Sequence, residues 1–182
     1  MGGEDLKTNN WYVFTGGPSS GKTTTINELK KMGYHVEEEK AKQVLDEWMA
    51  AGMTLDEIRS DEYRLQTRVL PLKIEAEATL PPDELIFFDR GIPDTIAYYR
   101  LAYGKYKDKL LDEALKTYCK YKKVFIFDLL PMEKSNFRNE DDVIAKKIEG
   151  LVETVYKELK MEIVRVPVMS VKDRVKFILN NL

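Results

Sequence analysis

The chain has very little sulfur and imidazole chemistry to offer. Cys119 is the single cysteine in 182 residues, so no internal disulfide can form and a reducing compartment is expected. It falls on the apolar stripe of a helical pattern and reads as core, not as a nucleophile. His35 is the only histidine. No Cys/His metal pattern exists, and His35 itself reads as structural. Long hydrophobic runs are also missing. None approaches the ~18 residues of a membrane helix, and no basic-then-apolar leader precedes the first strand. The expectation is a cytoplasmic protein without membrane insertion. Charge of one sign is lacking too, since the net charge is −2, which argues against a nucleic-acid partner. The basic cluster Lys116, Lys120, Lys122 and Lys123 straddles a predicted helix end, where lysines suit the negative end of the dipole. There are no repeats, low-complexity tracts or linkers. The length therefore predicts one domain, with residues 1–10 a polar, loose tail.

What is present is alternation. Short apolar runs exchange with helical patterns, the signature of an α/β fold with a parallel sheet. Strands are expected at Trp11–Thr15, Tyr34–Glu38, Leu85–Phe88, Val124–Phe127 and Ile163–Val166. Helices are expected from Lys22 to Met32, over Ala41–Met49, through Leu110–Cys119, along the Ile144–Leu159 face, and from Ser170 to Asn181 with a Ser170…Asp173 cap. Thr54-Leu55-Asp56-Glu57 reads as a capping box opening one long helix toward Leu80, kinked at Pro71. Pro93 suits the first turn of a helix that Gly104 closes.

Between the first strand and first helix stands Gly16-Gly17-Pro18-Ser19-Ser20-Gly21-Lys22-Thr23, a complete G-x-x-x-x-G-K-[ST] phosphate loop. Gly16 and Gly21 let the backbone turn tightly against phosphate. The loop N–H groups and the positive end of the following helix face the phosphate oxygens. Lys22, its ammonium expected exposed toward the ligand, neutralises the β- and γ-phosphates, and the Thr23 hydroxyl ligates Mg²⁺. Thr24 is expected near the α-phosphate. The ligand is then ATP or GTP with its Mg²⁺; no N-K-x-D guanine signature is present.

Asp89 directly follows the strand Leu85–Phe88, where a carboxylate at the end of a neighbouring strand faces the metal. Arg90 beside it can clamp a phosphoryl group or an acceptor carboxylate bidentately. A simpler reading makes both residues caps of the next helix. Asp94, one turn on, fits a cap or a substrate contact equally.

The phosphate loop GGPSSGKT, the segments DRGIPD and NFRNEDDVIAKKIEG, and the ending RVPVMSV, in that order, resemble the AAA-type, NadR-like P-loop family, over about Tyr12 to Leu179. That family includes a ribosylnicotinamide kinase domain. The resemblance implies a three-layer P-loop NTPase fold with five parallel strands in the order 2-3-1-4-5, like adenylate and nucleoside kinases. It also implies a lid between strands four and five, at 130–145.

Within that segment, Lys134 and Arg138 sit among polar residues, as a closing lid requires. Arg138 matches the family's motif arginine, implying a transition-state charge clamp; a solvated loop arginine is the alternative. Deoxynucleoside kinases, similar in layout, carry a general-base carboxylate at the second strand end. Glu39 matches the family glutamate, although an acidic strand end is otherwise ordinary surface. Lys42 stands where relatives have an arginine and cannot bind bidentately. The resemblance leaves two functions open: phosphoryl transfer to a small hydroxylated, nucleoside-like acceptor by Lys22, Arg90 and Arg138 with Glu39 or Asp89 accepting the proton, or a nucleotide-binding module or slow NTPase that regulates a partner.

Overall fold

The computed structural model describes residues 9–104, 121–130 and 139–182. The amino-terminal tail up to residue 8, Cys119 with its predicted helix, and residues 131–138 of the 130–145 lid, including Lys134 and Arg138, lie outside them. Five parallel strands form the middle layer: β1 (Trp11–Gly16), β2 (His35–Glu37), β3 (Ile86–Asp89), β4 (Lys123–Phe127) and β5 (Ile163–Val166). Their order is β2-β3-β1-β4-β5, so β1 is central and pairs with β3 on one side and β4 on the other. The fold is the α/β P-loop architecture that the resemblance implied.

Alternation along the strands sends successive side chains to opposite faces. Trp11, Val13, Ile86, Phe88, Val124 and Ile126 face one way. They are covered by α5 (Ile92–Tyr103) and α6 (Asn139–Glu158). Tyr12, Phe14, Phe87, Phe125 and Phe127 face the other, under α1 (Lys22–Lys31) and α7 (Val171–Leu179). Both faces are buried, as expected of a parallel sheet. A separate small core of Val44, Ile58, Leu65 and Val69 joins α2 (Lys40–Ala50), α3 (Leu55–Ser60) and α4 (Glu62–Thr79). These three helices stand beside the carboxyl end of the sheet.

The long helix expected from Thr54 to Leu80 is two helices. The Thr54–Glu57 capping box does open α3, but Asp61 (φ −126°, ψ 73°) leaves helical geometry and its side chain accepts the Arg64 N–H at 3.0 Å. An aspartate inside a helix competes for backbone donors and is better placed at a start. Asp61 therefore ends α3 and caps α4, which then runs through Pro71. Among the described residues no helix is long and apolar enough to cross a membrane.

At the sheet edge His35 lies between two carboxylates, Glu84 at 2.8 Å and Glu37 at 3.2 Å. Burial alone would lower its pKa, but the bonds to Glu84 and Glu37 outweigh that and raise it above the ordinary 6.5. A raised folded-state pKa means the pair stabilises the fold fully below pH 6.5 and less as pH climbs through the higher value. Because His35 is about one-third exposed, the effect is modest, ~0.2–1 kcal/mol. Urea unfolding from pH 5.5 to 8.5 should show that loss in the parent, and His35→Gln should flatten it.

Candidate active site

Strand β1 delivers the phosphate loop from the centre of the sheet. Gly16 has φ 129°, and a Cβ there would meet the Phe127 carbonyl oxygen at 2.7 Å, so only glycine fits. Gly21, at φ 78°, is the residue before α1 and offers no side-chain cap. The N–H groups of the first turn are thus left for a ligand, at the positive end of the helix dipole. Pro18, Ser19 and Thr23 are exposed on the loop and helix start. The Ser20 side chain is buried and turned inward. Thr24 directs its hydroxyl to the Gly21 carbonyl at 2.8 Å.

Lys22 differs from the expectation. It is 7% exposed, and its ammonium folds back to donate to Gly16 O at 3.3 Å, Gly17 O at 2.9 Å and Ser20 Oγ at 3.0 Å. Loop carbonyls are the oxygens within reach of a cation held in a concave loop. Burial, then the neighbouring Arg90, push its pKa down to about 7, against the pull of Asp89 and Glu39. A phosphate would supply the missing negative charge.

Pairing in register with Phe14, Asp89 ends β3 beside the loop. The chain continues the ladder one residue further, where the Arg90 N–H meets Phe14 O at 3.0 Å, and then turns with Arg90 at φ 67°. That turn buries the guanidinium. Arg90 Nη1 donates to Gly16 O at 3.2 Å and approaches Asp94 Oδ1 at 3.4 Å; its Nε lies 2.8 Å from Glu39 Oε1. The cation also stacks over Tyr98, 5.1 Å from the ring centre. Burial works against the charge, but Tyr98, Glu39 and Asp94 together hold Arg90 protonated. The structure thus brings Lys22, Glu39, Asp89 and Arg90 together. Arg138, the remaining predicted participant, lies outside the described residues.

Asp89 carries the clearest sign of an absent partner. Its Oδ1 is buried without a hydrogen bond. Burial and then the Glu39 carboxylate push its pKa up to about 6, against Arg90 and Lys22. Asp89 and the Thr23 hydroxyl line one cavity of about 400 Å³. An orphaned carboxylate oxygen and a hydroxyl beside a phosphate loop fit the all-oxygen preference of Mg²⁺. These residues would hold it.

Sequence reasoning left Asp94 undecided and missed what it binds. It is 1% exposed and accepts from Thr15 Oγ1, from Gly91 N–H at 2.9 Å and from Tyr156 OH at 2.6 Å, besides facing Arg90. It is a helix cap and much more. Arg174 was missed altogether. From α7 it donates to Gly21 O at 2.9 Å and Thr25 Oγ1 at 3.2 Å, bracing the loop from behind. The readable signal was periodicity, since Arg174 shares the inward face of α7 with Val175 and Ile178. Lys73 of α4 was also missed. Fully buried, it donates to Gly91 O at 2.7 Å, with burial lowering its pKa against Asp94 and Glu39.

Residues 11–174 match a family model described as an AAA domain. No curated protein matches the sequence. Among solved structures, a thymidylate kinase from Ehrlichia chaffeensis is similar with TM-score 0.66 at 15% identity, over 96% of this chain and 98% of that one. A deoxyadenosine kinase from M. mycoides, solved with dCMP and dCDP, gives TM-score 0.62 at 14% identity, over 94% and 97%. A NadR protein in complex with NR gives TM-score 0.60 at 15% identity, over 86% of this chain and 43% of that one. At these identities the likeness concerns the fold.

Two substitutions separate the loop's shape from its charge. Gly16→Ala should destabilise the fold by at least ~1 kcal/mol, because it adds both strain and a clash. Lys22→Met should stay within ~1 kcal/mol of the parent, yet weaken triphosphate binding ~10–100-fold for the loss of charged hydrogen bonds. Denaturant unfolding and calorimetry with Mg²⁺–ATP and Mg²⁺–GTP check both.

Proposed function

This chain belongs to the AAA domain family, matched over residues 11–174, and from that premise we propose that it transfers a phosphoryl group from a Mg²⁺-bound nucleoside triphosphate to a small, hydroxylated, nucleoside-like acceptor. One observation carries the reading. The phosphate loop and the Glu39–Arg90–Asp89 group open into the same 400 Å³ cavity, whose far wall is built by α2, α4 and α5. That volume lies within the ~300–1,000 Å³ of small-molecule sites. A module that only holds a triphosphate has no use for a cavity that runs on from the loop past a carboxylate and an arginine.

In this reading the triphosphate occupies the loop amides and the start of α1. Lys22 leaves the Gly16 and Gly17 carbonyls for the β- and γ-phosphate oxygens, exchanging neutral acceptors for charged ones. Thr23 and Asp89 would hold Mg²⁺, which would supply charge neutralisation at the phosphates. Arg90 holds Glu39 through Oε1, which leaves Oε2 toward the acceptor. The acceptor hydroxyl gives its proton to Glu39 as its oxygen bonds to the γ-phosphorus. The bond from that phosphorus to the β,γ-bridging oxygen breaks, and the nucleoside diphosphate leaves. Most of the catalysis is then positioning and electrostatics, as phosphoryl transfer requires. Arg138, from the lid segment, adds charge that meets the transition state.

The rival reading is a nucleotide-binding module or slow ATPase or GTPase that regulates a partner. Kinetics with candidate acceptors separates the two. Arg138→Ala should lower kcat ~10³-fold with little change in triphosphate affinity. Glu39→Gln should cost ~10²–10⁴-fold as loss of a general base. The measurement is acceptor-dependent release of ADP or GDP. If no acceptor raises release above a slow basal rate, and neither substitution lowers that rate, the phosphoryl-transfer reading falls to the module.

A further inference from the structure

Two arginines are buried among the described residues, Arg90 and Arg174. Arg90 is flanked by the carboxylates of Glu39 and Asp94. Arg174 has no such company. It is 3% exposed, and its guanidinium donates to Gly21 O at 2.9 Å, Thr25 Oγ1 at 3.2 Å and Met169 O at 3.1 Å. The Phe127 ring centre lies 5.7 Å away, and Nε is buried without a hydrogen bond. The adjacent carboxylate, Asp173, accepts instead from Ser170 Oγ and the N–H of its own residue turns to the same hydroxyl. Every group bonded to Arg174 is neutral. Burial accordingly lowers its pKa with no carboxylate to oppose it.

A buried cation held by dipoles alone is short of negative charge. A brace between α7 and α1 would need only a donor, and a neutral side chain supplies one at a smaller cost of desolvation. The charge therefore calls for an anion, and the phosphate loop lies directly in front of it.

The point of contact shows how the charge would be felt. Four donors converge on Gly21 O: Arg174 Nη1, Thr24 Oγ1 at 2.8 Å, Thr25 Oγ1 at 3.1 Å and the Thr25 N–H at 3.4 Å. A Cβ on Gly21 would collide with Arg174 Nη1, so the glycine lets the cation come this close. Donors on a carbonyl polarise its peptide group and strengthen the N–H at the other end. That peptide joins Gly21 to Lys22, the first residue of α1. Its N–H is one of those a helix start leaves without an internal partner.

We propose that Arg174 is a positioning residue for the triphosphate, its charge acting on the phosphates through the Gly21–Lys22 peptide without touching them. This rests on the reading of Gly16–Thr23 as the triphosphate site and is independent of any acceptor. Coupling of this kind is reciprocal. Phosphate on the loop should tighten α7 as much as Arg174 tightens the phosphate.

The test measures binding to the full chain by calorimetry with Mg²⁺. ATP, ADP and inorganic tripolyphosphate are titrated into the parent, Arg174→Gln, Arg174→Lys and Lys22→Met. Glutamine keeps a donor and loses the charge, whereas lysine keeps both. Arg174→Gln should weaken ATP and tripolyphosphate about tenfold, and ADP by less. Arg174→Lys should bind ATP more tightly than Arg174→Gln does. An equal loss for ATP and ADP marks a plain brace and overturns the proposal. Weaker ATP with unchanged tripolyphosphate marks a contact with the base and overturns it too, as does Arg174→Lys no better than Arg174→Gln. If Lys22→Met weakens both triphosphates while Arg174→Gln matches the parent, this inference falls and the loop reading stands. A parent that binds neither triphosphate ends both. Should the Arg174 substitutions unfold the chain, hydrogen exchange in the parent decides. ATP should slow exchange at residues 174–179 more than ADP does, and equal slowing overturns the proposal.

Discussion

The carboxylate of Asp94 gathers four groups, two of which, Thr15 and Tyr156, come from remote parts of the chain. Thr15 brings the end of the central strand, Gly91 the turn after β3, Tyr156 the helix α6, and Arg90 the charged centre of the site. Burying a lone carboxylate costs several kcal/mol, and only a full set of donors with a nearby cation offsets it. Once satisfied, such a group tolerates little displacement of any donor, since each lost bond exposes the whole desolvation penalty. The distance from phosphate loop to DRGIPD segment is set there, as is the seat of α6 against both.

Around that fixed point the polar groups are arranged under tension. Lys22 is pulled toward neutrality and Asp89 toward protonation, both by burial first. Arg90 instead keeps its charge, because Glu39 and Asp94 flank it. Two groups that ionise reluctantly beside one that cannot lose its proton is an arrangement completed by an anion and a cation arriving together. Perturbed ionisation of this kind clusters where ligands bind.

Much of this was legible in the residues. The five strands announced themselves as runs of aromatic and β-branched residues, and the phosphate loop by glycines at fixed offsets before a lysine. Asp89 and Arg90 were legible because strand ends in parallel sheets converge on one edge, whereas Glu39 came through the resemblance. Strand order came only through resemblance, because hydrophobic periodicity says which face is buried and nothing about which strand is next door. Asp94, Tyr156 and Arg174 were hidden for the same reason: their partners lie 62 to 153 residues away in the chain. The inward turn of Lys22 was missed because the motif describes the loop with phosphate in place. The break at Asp61 was readable, Ser60-Asp61-Glu62 being a start signal.

The bracing of Gly21 by Arg174 has a consequence for how the protein is made. The phosphate loop is written within the first 23 residues, yet the donor behind it comes 153 positions later, and β1 needs β3 and β4 on its flanks before it can pair. A ribosome synthesising ~5–20 residues per second therefore leaves this apolar strand without partners for seconds. Contacts this distant slow folding and lengthen exposure to aggregation. The phosphate loop, translated well ahead of the residues that brace it, is among the last parts to take its final form.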